Sequence, residues 1–121
     1  MLFTYWNIGK KIVEEQGGNS KSKYGDKLIS ELSKQMTFDF GKGFDERNLR
    51  KIRQFYLSFP IWNTVRTELN WSHYRILIRI EEKHIREFYI DEAIKGNWSV
   101  RQLERQIATC AYSRVIANYK K

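Results

Sequence analysis

The sequence predicts an all-α protein of about six helices that form two helix-turn-helix-like units around one core. Apolar residues recur at helical spacing along almost the whole chain, and no segment alternates convincingly as a strand would. Of the 121 residues, 41% are hydrophobic, 15% are aromatic and only one is proline. That apolar content is typical of a folded protein and excludes a disordered chain. We therefore expect a single helical domain over residues 1–121.

Each element follows from where the helical spacing starts and stops. The polar run at residues 17–20 predicts a linker, and the segment 38–43, which contains two glycines, predicts a turn. Pro60 ends a helix because the residue before a proline is pushed out of the helical region. Residues 61–70 fit either a short helix or a loop. Helices are thus predicted over residues 2–16, from Asp26 onward, and over 46–59, 72–80, 82–95 and 99–118, giving units at about 24–58 and 71–118 preceded by helix 2–16.

Three of these helices begin with the same device, a polar N-cap between an aromatic and an aliphatic residue. The aromatic precedes the cap and the aliphatic follows it by four residues, which is the pattern of a hydrophobic staple. Ser99 and Gln102 also form a capping box. The even spacing of the caps is a weak hint of an internal repeat. The three sets are Phe44, Asp45 and Leu49; Trp71, Ser72 and Ile76; and Trp98, Ser99 and Leu103.

The net charge points to a polyanionic partner. The chain has 22 Lys and Arg against 14 Asp and Glu, a net charge of +8, and most of the excess lies after residue 44. A basic surface attracts nucleic acid or, less often, an anionic membrane. A basic protein with no such partner stays an open alternative.

Cysteine and histidine content limits the chemistry. One cysteine, Cys110, cannot form an intrachain disulfide, and with only two histidines it cannot complete a usual structural zinc site. We therefore expect no metal, no cofactor and a cytoplasmic location. Neither a secretory leader nor a membrane span is predicted. Cys110 falls at helical spacing with Leu103 and Ile107, which favours a buried thiol.

No catalytic centre is predicted. Glu81-Glu82-Lys83 matches the E-x-K fragment of metal-dependent nucleases, but no strand end with a further acidic ligand accompanies it. Gly41-Lys42-Gly43 lacks the rest of a phosphate-binding loop and predicts a turn. His84 lies near Glu81 and Glu87, which favours an exposed charge cluster. We expect that this chain alone is not an enzyme.

The helix over residues 46–59 carries the first candidate binding surface. Its polar stripe has the spacing i, i+3, i+4 and i+7, opposite an apolar stripe. A helix and a turn precede it, the order in which a second helix enters the DNA major groove. Arginine can bond guanine and glutamine can bond adenine, although a simply solvated helix face remains an alternative. This first basic face consists of Arg47, Arg50, Lys51 and Gln54.

The last predicted helix carries a similar second surface. Its apolar positions turn inward, and Glu104 lies off the polar side. Arginines on such a surface would contact phosphates, and glutamines would be candidates for base readout. This second basic face consists of Arg101, Gln102, Arg105 and Gln106.

The aromatic residues leave a different class of function open. Tryptophans such as Trp6 and Trp62 could stack on single-stranded bases, but helical spacing favours packing in the core. Aromatics left exposed would instead form an apolar patch, as in a protein-interaction or dimerisation module. A homo-oligomer is then expected, with no direct contact to DNA.

Several phrases taken together resemble a known family. In chain order they are Tyr5-Trp6-x-Ile8-Gly9-Lys10-x-Ile12, Lys23-Tyr24-Gly25-Asp26, Gly43-Phe44-x-x-x-Asn48-Leu49-x-x-x-Arg53-Gln54-Phe55-Tyr56, Trp71-Ser72-His73-Tyr74, Arg86-x-Phe88-Tyr89 and Trp98-Ser99-Val100-Arg101-x-Leu103-Glu104-Arg105-Gln106-Ile107. This ordered set resembles the N-terminal domain, long of unknown function, of the YhcG-type bacterial PD-(D/E)XK nuclease family.

The resemblance implies a helical region that precedes a nuclease domain and serves DNA binding or assembly. The chain stops shortly after Arg114, where the nuclease domain of that family would begin, so no catalytic metal site is expected here. The expected function is non-catalytic binding of double-stranded DNA, positioning a nuclease domain that acts in cis or in trans.

Overall fold

The computed structural model describes residues 1–15 and 23–119, and within those ranges every regular element is helical. This confirms the all-α prediction, with seven helices where about six were expected. A short 3-10 helix, Trp62–Thr64, interrupts the connection after the third helix. The linker predicted at residues 17–20 lies outside the described residues. The helices are α1 (Leu2–Glu15), α2 (Lys23–Phe40), α3 (Glu46–Ser58), α4 (Trp71–Leu77), α5 (Lys83–Lys95), α6 (Val100–Ala108) and α7 (Ala111–Tyr119).

The turn before α3 is shorter than predicted. Helix α2 continues to Phe40, and only the next few residues form the turn, with Gly41 at φ 83° and Gly43 at φ 108°. The left-handed backbone that ends α2 is readily adopted by glycine, whereas Phe38 and Asp39 carry side chains that fit a helix. The prediction of a turn from residue 38 was therefore wrong by three residues.

The second cap prediction was also wrong. Asn70, not Ser72, is the N-cap of α4, and its side-chain oxygen accepts a hydrogen bond from the backbone N–H of His73 at 3.2 Å. Asparagine is at least as good an N-cap as serine, so the cap of α4 lies two residues earlier than predicted. The caps therefore lie at Asp45, Asn70 and Ser99, and their even spacing, which hinted at a repeat, disappears.

The last predicted helix is two helices. The chain breaks at Thr109 and Cys110, where Cys110 has the left-handed φ of 57°. The backbone N–H and the Oγ1 of Thr109 both donate to the carbonyl of Arg105 at 2.9 Å, which closes the last turn of α6. The phenol oxygen of Tyr89, from α5, accepts a hydrogen bond from the Tyr112 backbone N–H at 3.1 Å and so supports the start of α7.

The break also exposes Cys110, which was predicted to be buried. In a continuous helix this residue would share a face with Leu103 and Ile107. At the left-handed corner its side chain instead points to solvent, so the prediction of a buried thiol was wrong.

The chain divides into two compact units, Met1–Val65 and Arg66–Lys121. In the first unit, α3 packs mainly on α1 and less on α2. Its core contains Ile12, Leu49, Ile52 and Phe55, each at most 1% exposed. The Trp6 indole N–H donates to the carbonyl of Phe59 at 2.6 Å, which joins the start of α1 to the end of α3.

The second unit is built around α4, whose Tyr74 and Leu77 are fully buried, together with Leu103 of α6. Nε2 of the buried His73 donates to the carbonyl of Trp98 at 2.8 Å. Because that carbonyl lies just before the Ser99 cap, His73 fixes where α6 begins. No helix among the described residues is long and apolar enough to cross a membrane.

Candidate nucleic-acid interface

Helix α3 presents the first basic face on the side opposite its buried stripe. Arg47, Arg50 and Gln54 are exposed and Lys51 is half-buried, whereas Leu49, Ile52 and Phe55 have no accessible surface. The buried stripe determines the rotation of the helix about its axis, because the apolar positions must face α1. The structure therefore brings all four predicted residues of the first basic face together on one helix.

The start of α3 is held by two side chains of its first turn. Asp45 accepts a hydrogen bond from the Asn48 backbone N–H at 3.1 Å, as the predicted N-cap should. The Asn48 side-chain amide donates to the carbonyl of Gly43. Both bonds join the turn to α3. They therefore hold the first turn of the helix, which carries Arg47, in place.

The ion pair that Arg50 makes on this face is exposed. Arg50 Nη2 lies 3.5 Å from Glu46 Oε1, and both side chains are about half exposed. An exposed pair of this kind is worth less than about 1 kcal/mol, so a phosphate can compete for the arginine. Gln54 Nε2 donates to Ser58 Oγ at 3.1 Å, a bond that does not occupy its carbonyl oxygen.

Arg53 adds a further cation to α3, although it was not among the predicted site residues. Burial lowers the pKa of Arg53, and Arg50 lowers it further, while Asp26 of α2 raises it. Arginine remains charged despite such shifts, so Arg53 adds positive potential next to Arg50. Its presence in the quoted motif was the only signal, because its position is neither in the buried stripe nor on the first basic face.

Helix α6 presents the arginines of the second basic face but uses its glutamines within the protein. Arg101 and Arg105 are exposed, one turn apart. Gln102 Oε1 accepts from the Ser99 backbone N–H at 2.7 Å, and Ser99 Oγ accepts from the Gln102 backbone N–H at 3.2 Å. This confirms the predicted capping box. It also places Gln102 at the helix end as a structural residue.

Gln106 is paired as well. Its Oε1 accepts a hydrogen bond from Arg114 Nη2 of α7 at 3.3 Å. In a continuous helix, eight residues separate two side chains by about 12 Å along the axis. The break at Thr109 and Cys110 removes that constraint and brings the exposed Arg114 to α6. Sequence reasoning missed Arg114 because it treated α6 and α7 as one helix.

His84 and the acidic residues near it lie on the surface at the start of α5. Glu82 is the N-cap of α5, and its carboxylate lies 3.3 Å from the exposed His84. Within residues 1–15 and 23–119, no group of three or more His, Cys, Asp or Glu side chains is placed to hold a metal ion. The two basic faces are the candidate functional surfaces among the described residues.

Comparison with known proteins gives two matches. Residues 1–114 match the family described as the DUF1016 N-terminal domain. The chain is also similar to the Escherichia coli (strain K12) protein named "Putative nuclease YhcG", with 36% identity over 154 residues. That alignment includes 100% of this chain and 41% of the relative, so the chain spans about two fifths of the relative's length. No solved structure matches the chain.

Proposed function

The chain belongs to the DUF1016 N-terminal domain family, and on this premise we propose that it is a non-catalytic domain that binds double-stranded DNA and positions a nuclease domain on it. The family expected from the ordered motifs is thereby confirmed. The name of the relative supports the link to a nuclease, and the two basic faces support the link to nucleic acid.

The first basic face is the observation that carries this proposal. Three of its four side chains are exposed on a helix whose other side is buried, so the face can approach a duplex without rearrangement of the core. Arginine donates two parallel hydrogen bonds to phosphate or to guanine, and glutamine can bond adenine. A helix and a turn precede α3, which is the order of elements in DNA-binding helix-turn-helix units.

Fluorescence anisotropy with a labelled duplex of about 25 bp, titrated at several salt concentrations, tests the proposal. We expect log affinity to fall linearly with log salt. Each phosphate neutralised contributes about 0.9 to the slope, so removing two cations should reduce the slope by about two. The variant Arg50→Ala with Lys51→Ala should show this loss and keep its thermal stability, because the Arg50 ion pair is exposed.

The matched control is Lys27→Ala with Lys34→Ala, which removes two exposed charges from α2 of the same unit. It should keep most of the affinity, because net charge alone does not determine a specific contact. Equal weakening by both double variants would mean that the first basic face has no special role. Absence of binding by the wild-type chain at low salt would remove DNA as the partner.

A protein-interaction or dimerisation module is the second candidate, and exposed aromatic residues favour it. Phe38 is 90% exposed and Phe40 is 70% exposed, both in the last turn of α2. Isolated exposed apolar residues are common, but Phe40 also lies against Phe44, with ring centroids 5.9 Å apart, and these two rings form an apolar patch that a partner could cover. Sedimentation of the wild-type chain and of Phe38→Ser with Phe40→Ser would show whether this patch supports self-association.

A further inference from the structure

We propose that α6 and the start of α7 bind the DNA backbone without reading its sequence, through an arginine cluster formed by Arg101 and Arg105 of α6 and Arg114 of α7. This inference rests on the proposed DNA binding. It assigns different roles to the arginine cluster and to the first basic face. Phosphate contacts by the arginine cluster position the chain, whereas base contacts come from the first basic face.

The glutamines of the second basic face are held by hydrogen bonds within the protein, which favours a structural role over base readout. To recognise adenine, a glutamine must accept a hydrogen bond through Oε1 and donate one through Nε2 at the same time. Gln102 Oε1 already accepts from the Ser99 backbone at 2.7 Å, and Gln106 Oε1 accepts from Arg114 at 3.3 Å. Base readout by Gln102 would compete with the capping box that holds the start of α6.

Gln54 of the first basic face has the opposite arrangement. Its bond to Ser58 Oγ uses one hydrogen of Nε2 and leaves the second hydrogen of that amide for a base. The two faces share the same residue types in the sequence, but their glutamines have different roles in the structure. We therefore assign base discrimination to α3.

The residues of the arginine cluster keep hydrogen-bond donors that can bind phosphate. Arg101, Arg105 and Arg114 are all exposed. A guanidinium has five N–H donors, and the bond to Gln106 uses one donor of Arg114, so this residue can still make a bidentate contact with phosphate. Glu104 is the exposed acid on α6, and as a single carboxylate it does not neutralise three arginines.

The break at Thr109 and Cys110 is what joins Arg114 to the cluster. Because the guanidinium of Arg114 bonds Gln106, which follows Arg105 in α6, it is held next to α6 instead of about two turns further along a straight helix. The hydrogen bond from the Tyr112 backbone to Tyr89 fixes the direction in which α7 leaves the break.

Two quantities measured for each variant distinguish contacts to the DNA backbone from contacts to the bases. Anisotropy with a labelled random duplex of about 25 bp gives the salt slope, and selection from the same random pool gives the preferred sequence. We expect Arg114→Ala to reduce the slope by about one and to weaken binding to all duplexes alike. Arg114→Lys should restore the slope, because lysine also neutralises a phosphate.

Two further variants test the division between the faces. Gln102→Ala should lower the melting temperature through loss of the capping box and leave the selected sequence unchanged. Gln54→Ala should alter the selected sequence and leave the melting temperature unchanged. The control is Arg79→Ala, an exposed arginine of the same unit outside the cluster, which should not change the slope.

The outcomes distinguish this inference from the proposed function. If the wild-type chain binds DNA but Arg114→Ala, with an unchanged melting temperature, behaves like Arg79→Ala, the cluster is overturned and the proposed function stands. A change of the selected sequence in Gln102→Ala would likewise overturn the division of roles. No binding of the random duplex by the wild-type chain at low salt would overturn both.

Discussion

At the residue scale, Tyr74 shows how one buried polar group organises its surroundings. Its hydroxyl donates to the carbonyl of Arg66 and accepts from the backbone N–H of Arg66, both at 2.7 Å. Its ring has no accessible surface. The two bonds tie the segment before α4 to the helix itself, so Tyr74 both fills the core of the second unit and closes the loop that leads into it.

The same residue predicts a pH dependence of stability. Burial raises the pKa of Tyr74 to about 12, above the usual value of about 10. Between these two pH values the unfolded chain loses a proton that the folded chain retains. Stability from this group is therefore complete below about pH 10 and decreases as the pH rises toward about 12, by roughly 2–3 kcal/mol in all.

Urea unfolding from pH 8 to pH 12 would measure this decrease. Tyr74→Phe should be less stable than the wild type at neutral pH, because both bonds to Arg66 are lost. Above pH 10, however, the variant should lose less stability than the wild type does. If both proteins lose stability equally over this interval, Tyr74 is not the group responsible.

At the element scale, the contact between α1 and α3 depends on Gly9. A Cβ atom at this position would lie 2.5 Å from the Ile52 carbonyl oxygen and 3.0 Å from Tyr56 Cβ. The first of these neighbours is backbone and cannot move without shifting α3. Glycine here thus allows the close approach of two helices, although glycine is a poor residue for a helix interior.

We expect Gly9→Ala to destabilise the protein by about 1–3 kcal/mol, as overpacking does, despite the better helix propensity of alanine. Thr4→Ala, at an exposed position of α1, is the matched control and should leave the stability nearly unchanged. Thermal and urea unfolding would compare the two variants. A gain of stability in Gly9→Ala would mean that α3 can move away without cost.

Several elements were predictable because their determinants are local. The caps at Asp45 and Ser99 and the capping box of α6 each involve residues within one turn, so the sequence pattern was sufficient. The basic stripe of α3 follows in the same way from helical spacing. Ser72 was a wrong choice only because Asn70, an equally good cap, lies two residues earlier.

At the scale of the whole molecule, the prediction of a single domain depends on contacts between residues that are far apart in the chain. The structure divides the chain into two units, Met1–Val65 and Arg66–Lys121. Each unit has its own buried residues. Whether the two units unfold together is a question of cooperativity. A single domain over residues 1–121 stays a prediction, and hydrogen exchange can test it.

Native-state hydrogen exchange of Gly9→Ala provides that test. If the chain is one cooperative unit, the most protected amides of both units should lose the same free energy of opening, although the substitution lies in the first unit. Thr4→Ala should lower protection in neither unit. A loss confined to Met1–Val65 would show that the units unfold independently and that the prediction of one domain is wrong.

The sequence by itself determined the helical class, most helix limits, the basic stripe of α3 and the family. These properties depend on spacing, on caps and on ordered motifs, all of which can be read along the chain. The net charge of +8 likewise required no structure.

Only the tertiary structure decided the break before α7, the exposure of Cys110 and the place of Arg114. Each depends on a contact between distant residues, such as the bond from the Tyr112 backbone to Tyr89 or the bond from Arg114 to Gln106. The close approach at Gly9 depends in the same way on Ile52. Helical periodicity carries no information about such pairs, because they form only when the elements pack.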